Sequence, residues 1–534
     1  MKIQILIFII ILQTFTLKSQ VLKTNYISND TTWSSDTVKI YNDVVIENQA
    51  TLQIDPGVYV EFQGNYSLEV YGKIIANGFA NDSIVFTVNN HDAIDDTSTS
   101  TGGWGSIKLL TNSSDTSKFN YCRFSYGKAV VPGEWSDDPY NEDNKGGAIY
   151  LNGYANLIIR NSTFYHNRAN HAGGGIIVKN CSSVRLLNNI FRYNNVYHYG
   201  GGALIESSNH TIVYANQFIS NISFYTLNIY PYAGVGGVGS GLAVYCNSTI
   251  TGNNFYNNNS VNGALYESSY NSLIYNNIIA NNMGCGMIAG GWSTSISKLI
   301  NNTIVNNLSY NFISGIEFFS PYNEMRNNII YGNGGSPGWP DAVQVYTAFG
   351  NLADFSYGCN PDEPLYYEGE GNIHDDPMFV NPTAGAGPDY DGSAADWSLQ
   401  NSSPCVNTGT PDTTGLNLPE LDIAGNPRLY GIRIDMGAYE NQEVVGLPKN
   451  PLVNSKLEII PNPFKDSFSI NLFGENKINR ISVLNQSGIT IRNMEQLPTD
   501  GFMLIDLNGY PSGLYLVVVE YEDGTRRVEK VLKM

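Results

Sequence analysis

Charge is what this sequence has least of. Only 14% of its 534 residues are Asp, Glu, Lys or Arg, and the shortage is uneven: 29 basic residues face 48 acidic ones, for a net charge of −19. That balance argues against nucleic acid, whose phosphates need a basic footprint. No Lys or Arg stands between Tyr193 and Ser297, nor between Asn327 and Pro427. The six cysteines (122, 181, 246, 285, 359, 405) form no CxxC pair and the six histidines no pair at metal spacing, so no metal site is expected. A Ser-His-Asp arrangement, a P-loop and a dinucleotide fingerprint are all missing. No cofactor is implied.

Long apolar runs are also missing after the first twenty residues. Met1-Lys2 and the run ILIFIIIL (5–12) are too short to span a bilayer comfortably, and Leu17-Lys18-Ser19 places a small residue at a cleavage point. Residues 1–19 therefore read as a signal peptide. The mature chain would meet an oxidising compartment, where Cys359 and Cys405 could pair while the other four cysteines look like buried residues.

What the sequence does have is asparagine, set around apolar residues in a recurring word: LLNNIFRYNN (186–195), IYNNIIANN (274–282), LINNTIVNN (299–307), MRNNIIYGN (325–333). Anchored on Phe164, Phe191, Phe218, Phe255, Ile279, Ile304 and Ile330, the words recur every 24 to 37 residues. Asparagine stands three residues after every anchor and, Ser162 excepted, two before it. A second word, glycine followed by apolar residues, lies between anchors. A period near 25 built from short β-type words with no helical segment predicts an all-β solenoid. Its parallel strands would stack at ~4.8 Å, apolar positions filling the bore. Asparagine at the corners would tolerate left-handed backbone, and equivalent amides would bond one another in ladders.

Over roughly residues 45–345 the chain resembles the right-handed parallel β-helix family of exported bacterial proteins. The opening ATLQIDPGVYVEFQGNYSLEVYGKIIANGFANDSIVFT (50–87) and GGWGSIKLL (102–110) match its first turns. The resemblance implies about ten rungs over 20–345. GNIHDDPMFVNP, WSLQNSSPCVNTGTPD and LDIAGNPRLYGIRIDMGAYE, within 371–440, resemble the closing segment of such proteins, so 346–440 is expected to supply the last rung and a cap. A linker (441–456) leads to alternating segments from 457 to 534, a small β-sandwich. Its Pro-Asn-Pro entry, Ser-Gly turn, PSGLY and basic end resemble the C-terminal sorting domain of the type IX secretion system. That resemblance implies the secretion machinery as partner, and release or attachment at the cell surface.

The family's scaffold hosts many activities, so function has to come from sites. The polygalacturonase residue set is missing, and a polyuronate lyase would have only the basic early rungs (Arg160, Arg168, Lys179, Arg185, Arg192) to work with. Glu206 and Glu267 follow a glycine by the same four residues in ALIESS and ALYESS. Two rungs apart, they would lie ~9.6 Å from each other, near the limit for an inverting glycosidase pair, with Tyr245 between them. Loop aromatics, Tyr245, Trp135 and Trp292 foremost, suit stacking on sugar rings. The acidic loops 136–143 and 388–396 read as solvated turns with a calcium site as the alternative. Three functions follow: a surface protein binding or processing a polysaccharide, by hydrolase or lyase chemistry if an enzyme; an adhesin or structural spacer; or a polysaccharide lyase.

Overall fold

The computed structural model describes residues 19–443 and 459–534, apart from 22–24, 111–114, 134–137, 224–236, 291–295, 310–312, 321, 336–341, 348–353, 361–368, 472–477, 486–488, 495–501 and 522–525. Residues up to 445 form one compact unit and residues 446–534 another.

The first unit is a parallel β-helix. Three sheets of twelve strands each run its length, and every strand pairs in parallel with its equivalents one rung away. Twelve rungs exceed the expected ten because residues 19–54 wind two turns that carry no asparagine word, starting at Ser19–Val21. Each rung passes from a glycine sheet (for example Ala203–Glu206) to an aliphatic sheet (His210–Tyr214) and then to a phenylalanine sheet (Gln217–Ile219). In the last, Phe86, Phe124, Phe164, Phe191, Phe218 and Phe255 stack in the bore with centroids 4.6–5.0 Å apart, which is the rung spacing itself. The glycine word exists because a side chain would not fit. A Cβ on Gly174 would lie 2.4 Å from the Gly201 carbonyl of the next rung, and Gly173 and Gly200 hold φ +65°.

The asparagine doublets divide two tasks between neighbours. The second residue of each points inward and joins a ladder: Asn189, Asn216, Asn253, Asn277, Asn302 and Asn328 at one corner, Asn167, Asn194, Asn221, Asn258, Asn282, Asn307 and Asn333 at the other. Asn167 and Asn189 head the columns and accept from the backbone N–H groups of Gly127 and Ser162; each later side-chain oxygen accepts from the backbone N–H and the side-chain amide of the rung before, as Asn253 does from Asn216 at 2.9 and 3.0 Å. Each side-chain NH2 also donates to a carbonyl of the preceding rung. A corner that would bury orphan amides is thereby satisfied. The first residue of each doublet is left-handed and faces outward: Asn276, Asn281, Asn301, Asn306 and Asn327 have φ between 52° and 57°.

Those outward asparagines hold the closing segment. Asp354–Ser356 supplies the last strand of the aliphatic sheet, after which Cys359 bridges Ile329 and Ile373 bridges Cys359 at the end of the solenoid. From Phe379 on, the chain turns back along the outside of the phenylalanine sheet. Phe379, Trp397, Leu399, Cys405, Val406 and Met436 pack there on Tyr256, Ile278, Ala280, Val305 and Ile329. In these rungs both faces of the strand are buried, which is why words such as NIIAN hold consecutive apolar residues. Asn281 donates to the carbonyls of Gly385 and Gly387, and Asn301 to those of Asp435 and Gly437 at 2.8 and 3.1 Å. Inside the cap Arg428 is buried, donating to three carbonyls and facing Glu440 at 3.5 Å. The six cysteines are thiols, and Cys359 and Cys405 meet within this cluster.

Asn301 can be tested for each of its roles. Asn301→Gly keeps the left-handed backbone and removes the bonds to the cap together with the long one that the Asn301 oxygen accepts from the Asn327 amide (3.3 Å), so hydrogen exchange at Ala438 and Glu440 should quicken with little change in thermal midpoint. Asn301→Ala adds a left-handed strain of about 1 kcal/mol and should lower the midpoint as well.

The second unit is antiparallel. Ile459–Ile460, Ser467–Asn471 and Phe502–Asp506 form one sheet, and Thr490–Met494, Ile478–Leu484, Gly513–Tyr521 and Arg526–Lys533 the other. Phe468, Ile481, Val517, Val519 and Val531 are among the residues of its own core.

Candidate binding face

The two glutamates do not form a pair. In the glycine sheet Ala203 pairs with Leu242 and Leu242 with Leu265, so Gly202 aligns with Ala264 and not with Gly263. The rung at 262 is entered one residue earlier than its glycine suggests. Glu267 therefore falls in the column of Ile205 and Val244 and points into the bore. It is fully buried, accepting from Ser269, from Ser297 Oγ at 3.1 Å and from the Gly290 N–H at 3.2 Å. Glu206 points outward, half-buried between Lys179 and Tyr245 in register, and burial pushes its carboxyl above the usual range. With one carboxylate outside the wall and the other within it, the two cannot flank one sugar.

Tyr245 lies beside Glu206 as expected, but its ring packs with Tyr199 and Tyr266 and is largely covered. Trp135 and Trp292 lie outside the described residues. In the acidic loops, Glu142 pairs with Lys145 at 2.9 Å and Lys179 at 3.4 Å, and Asp391 and Asp396 accept from nearby serines. Among the described residues no three His, Cys, Asp or Glu side chains converge as a metal cage would need.

An exposed aromatic surface lies elsewhere, on the outer face of the phenylalanine sheet in the rungs that the cap leaves open. The left-handed corner positions that carry asparagine under the cap carry Tyr126, His166 and Tyr193 here, at φ 64°, 55° and 57°. With Tyr165 from the strand they form a contiguous strip. Tyr126 and Tyr193 each meet Tyr165 edge-on, with centroids 6.0 and 5.9 Å apart, and His166 lies 5.7 Å from Tyr126. His91 stacks flat on Tyr126 at 4.0 Å. Two guanidinium groups sit over these rings, Arg123 at 5.4 Å from the centre of Tyr165 and Arg192 at 4.8 Å from that of Tyr193. Side-chain bonds to Ser125 Oγ (3.0 Å) and the Tyr193 hydroxyl (3.1 Å) fix their orientation.

The loop 89–103 borders the strip and is built around one buried cation. Lys128 donates to the carbonyls of Ala93, Asp96 and Thr101 at 2.6, 2.8 and 2.6 Å, and burial lowers its pKa to about 8. The loop so held brings Asp95 to His166 (3.5 Å) and Arg168 (3.3 Å). At the other end, the cap begins where Tyr256 goes under. The strip could have been read from one column of the repeat, the residue before each ladder asparagine. It reads His166, Tyr193, Ser220, Asn257, Asn281 and Asn306, passing from rings to amides where the cap starts.

The fold thus defines a parallel β-helix protein whose phenylalanine sheet is open ahead of the cap. Residues 458–534 match the family model described as the secretion system C-terminal sorting domain. The chain is accordingly a secreted or cell-surface protein whose C-terminal unit engages the type IX secretion machinery. No curated protein matches it.

Proposed function

We propose that this protein, once exported, binds a polysaccharide along the open flank of the phenylalanine sheet. The observation that carries this reading is the strip of Tyr126, Tyr165, His166 and Tyr193 at half-exposed positions in adjoining rungs, beside a cap that covers the same face further on. Ring edges, hydroxyls and imidazole suit the mixed polar and apolar surface of a sugar. Successive rungs at ~4.8 Å offer an extended chain a regular row of contacts. The reading that the solenoid is a spacer without a ligand leaves this concentration of rings on one uncovered face without a role.

A glycan array probed with residues 20–445 tests it. Binding to at least one polysaccharide is expected, and Tyr165→Ala with Tyr193→Ala should weaken it by about tenfold or more, as the loss of two aromatic contacts of ~0.5–1.5 kcal/mol each allows. No binding by the parent protein, or full binding by the double variant, would remove this reading.

A further inference from the structure

We infer that the ligand of this flank is an anionic polysaccharide, its carboxylate or sulfate groups received by Lys118, Arg123, Arg160, Arg185 and Arg192. This inference rests on the polysaccharide reading and narrows it to a charge class.

All five cations are exposed, Lys118, Arg160 and Arg185 on the aliphatic sheet and Arg123 and Arg192 on the adjoining phenylalanine sheet, over three consecutive rungs. One rung carries Lys118 and Arg123, the next Arg160, the third Arg185 and Arg192. In register, Lys118 sits over Ile158 and Ile158 over Arg185, so equivalent charges recur two rungs apart, about 9.6 Å along the axis. The segments that cross this corner, 116–126, 156–168 and 183–195, contain no Asp or Glu at all.

Elsewhere on the solenoid, half-buried cations face acids. Lys39 lies against Glu61, Lys73 against Asp115, Lys108 against Asp143 and Lys298 against Glu324. Arg168, just beyond this corner, is taken by Asp95. Among the described residues none of the five has an acidic partner. In a chain of net charge −19, such a group concentrates positive potential that the rest of the surface opposes.

The geometry favours a ligand over a repulsion-tolerant surface. Arg123 and Arg192 are held over tyrosine rings and by side-chain hydrogen bonds, which reduces the entropy lost when a carboxylate or sulfate docks. The array is linear, follows the rung repeat and lies on a protein delivered outside the cell. A long flexible polyanion fits those three facts, and the sugar-facing rings lie within the same patch.

Binding of residues 20–445 to polygalacturonate, dextran sulfate and unsulfated dextran would be measured by biolayer interferometry at low and high salt. We expect one of the two polyanions to bind and dextran to bind at least tenfold more weakly. Raising NaCl from about 50 to about 500 mM, which shortens the screening length severalfold, should weaken polyanion binding by about tenfold or more. Arg123→Gln with Arg192→Gln should do the same at low salt while the thermal midpoint stays in place. Preference for polygalacturonate assigns carboxylate as the recognised group, and preference for dextran sulfate assigns sulfate. Salt-insensitive binding of dextran equal to that of the polyanions overturns the charge class and leaves the polysaccharide reading standing. Absence of binding to these probes and to the wider array overturns both. Self-association that the double arginine variant abolishes, without glycan binding, would give the patch to the acidic surface of a second copy and also overturn the inference.

Discussion

A chain lacking residues 458–534 should fold, reach the periplasm and stop there. The removed segment is a unit with its own core, built on Phe468, Ile481, Val517 and Val519. The β-helix has a separate core running from Ile27 to Phe355 and gives up none of it in the deletion. Stability should therefore be unchanged, with delivery alone lost. Fractionation of cells carrying the truncated form should find it in the periplasmic fraction, with the surface and medium signal reduced to background. Normal surface delivery of the truncated protein would mean that the sorting signal lies elsewhere.

Replacing Asn253 with Leu should be the most damaging single change in the solenoid. The two side chains share a branched outline, so the main effect is one of hydrogen bonding, to which the larger leucine methyls add a packing cost. The Asn253 oxygen is the acceptor for both the backbone N–H and the amide of Asn216, and its own amide donates to the Val213 carbonyl at 2.9 Å. Leucine leaves the buried Asn216 N–H without its acceptor, the Asn216 amide with only its bond to the Leu186 carbonyl, and the Val213 carbonyl without this donor; at roughly 1–3 kcal/mol for each lost bond, a loss of about 3 kcal/mol or more is expected. Urea unfolding of residues 20–445 measures it. The double change Asn216→Leu, Asn253→Leu should cost less than the sum of the single changes, because neighbours in one network are not independent. A loss under about 1 kcal/mol would show that water or backbone shifts replace the ladder.

Much of this fold was legible in the spacing of asparagines and anchors. The ladder columns are those the repeat predicts, and the phenylalanine anchors do fill the bore. The failures came where one residue's count decides which side of a strand faces out. Glu206 and Glu267 share a local word, yet the rung at 262 is entered a residue early, and a slip of one reverses the facing. The cap's position was hidden for a different reason. Ile278, Ala280 and Val305 read as solenoid core, and nothing local says that a segment a hundred residues later covers them. The ring strip was not legible because its tyrosines stand at corners, where left-handed backbone usually means asparagine.

The lateral cap also limits how this protein can change length. A β-helix gains or loses a rung by duplicating or deleting one repeat, and the ladders accept either, since each amide refers only to its neighbour. Under the cap that freedom ends. Asn281, Asn301 and Asn327 meet fixed points at Gly385, Asp435 and Thr410, so the cap counts the turns beneath it. An inserted repeat between Tyr256 and Tyr331 would put every later tether ~4.8 Å out of place. Relatives of this chain should therefore vary in rung number before Tyr256 and hold it constant after, with the growing end of the solenoid and its open flank in the same half of the molecule.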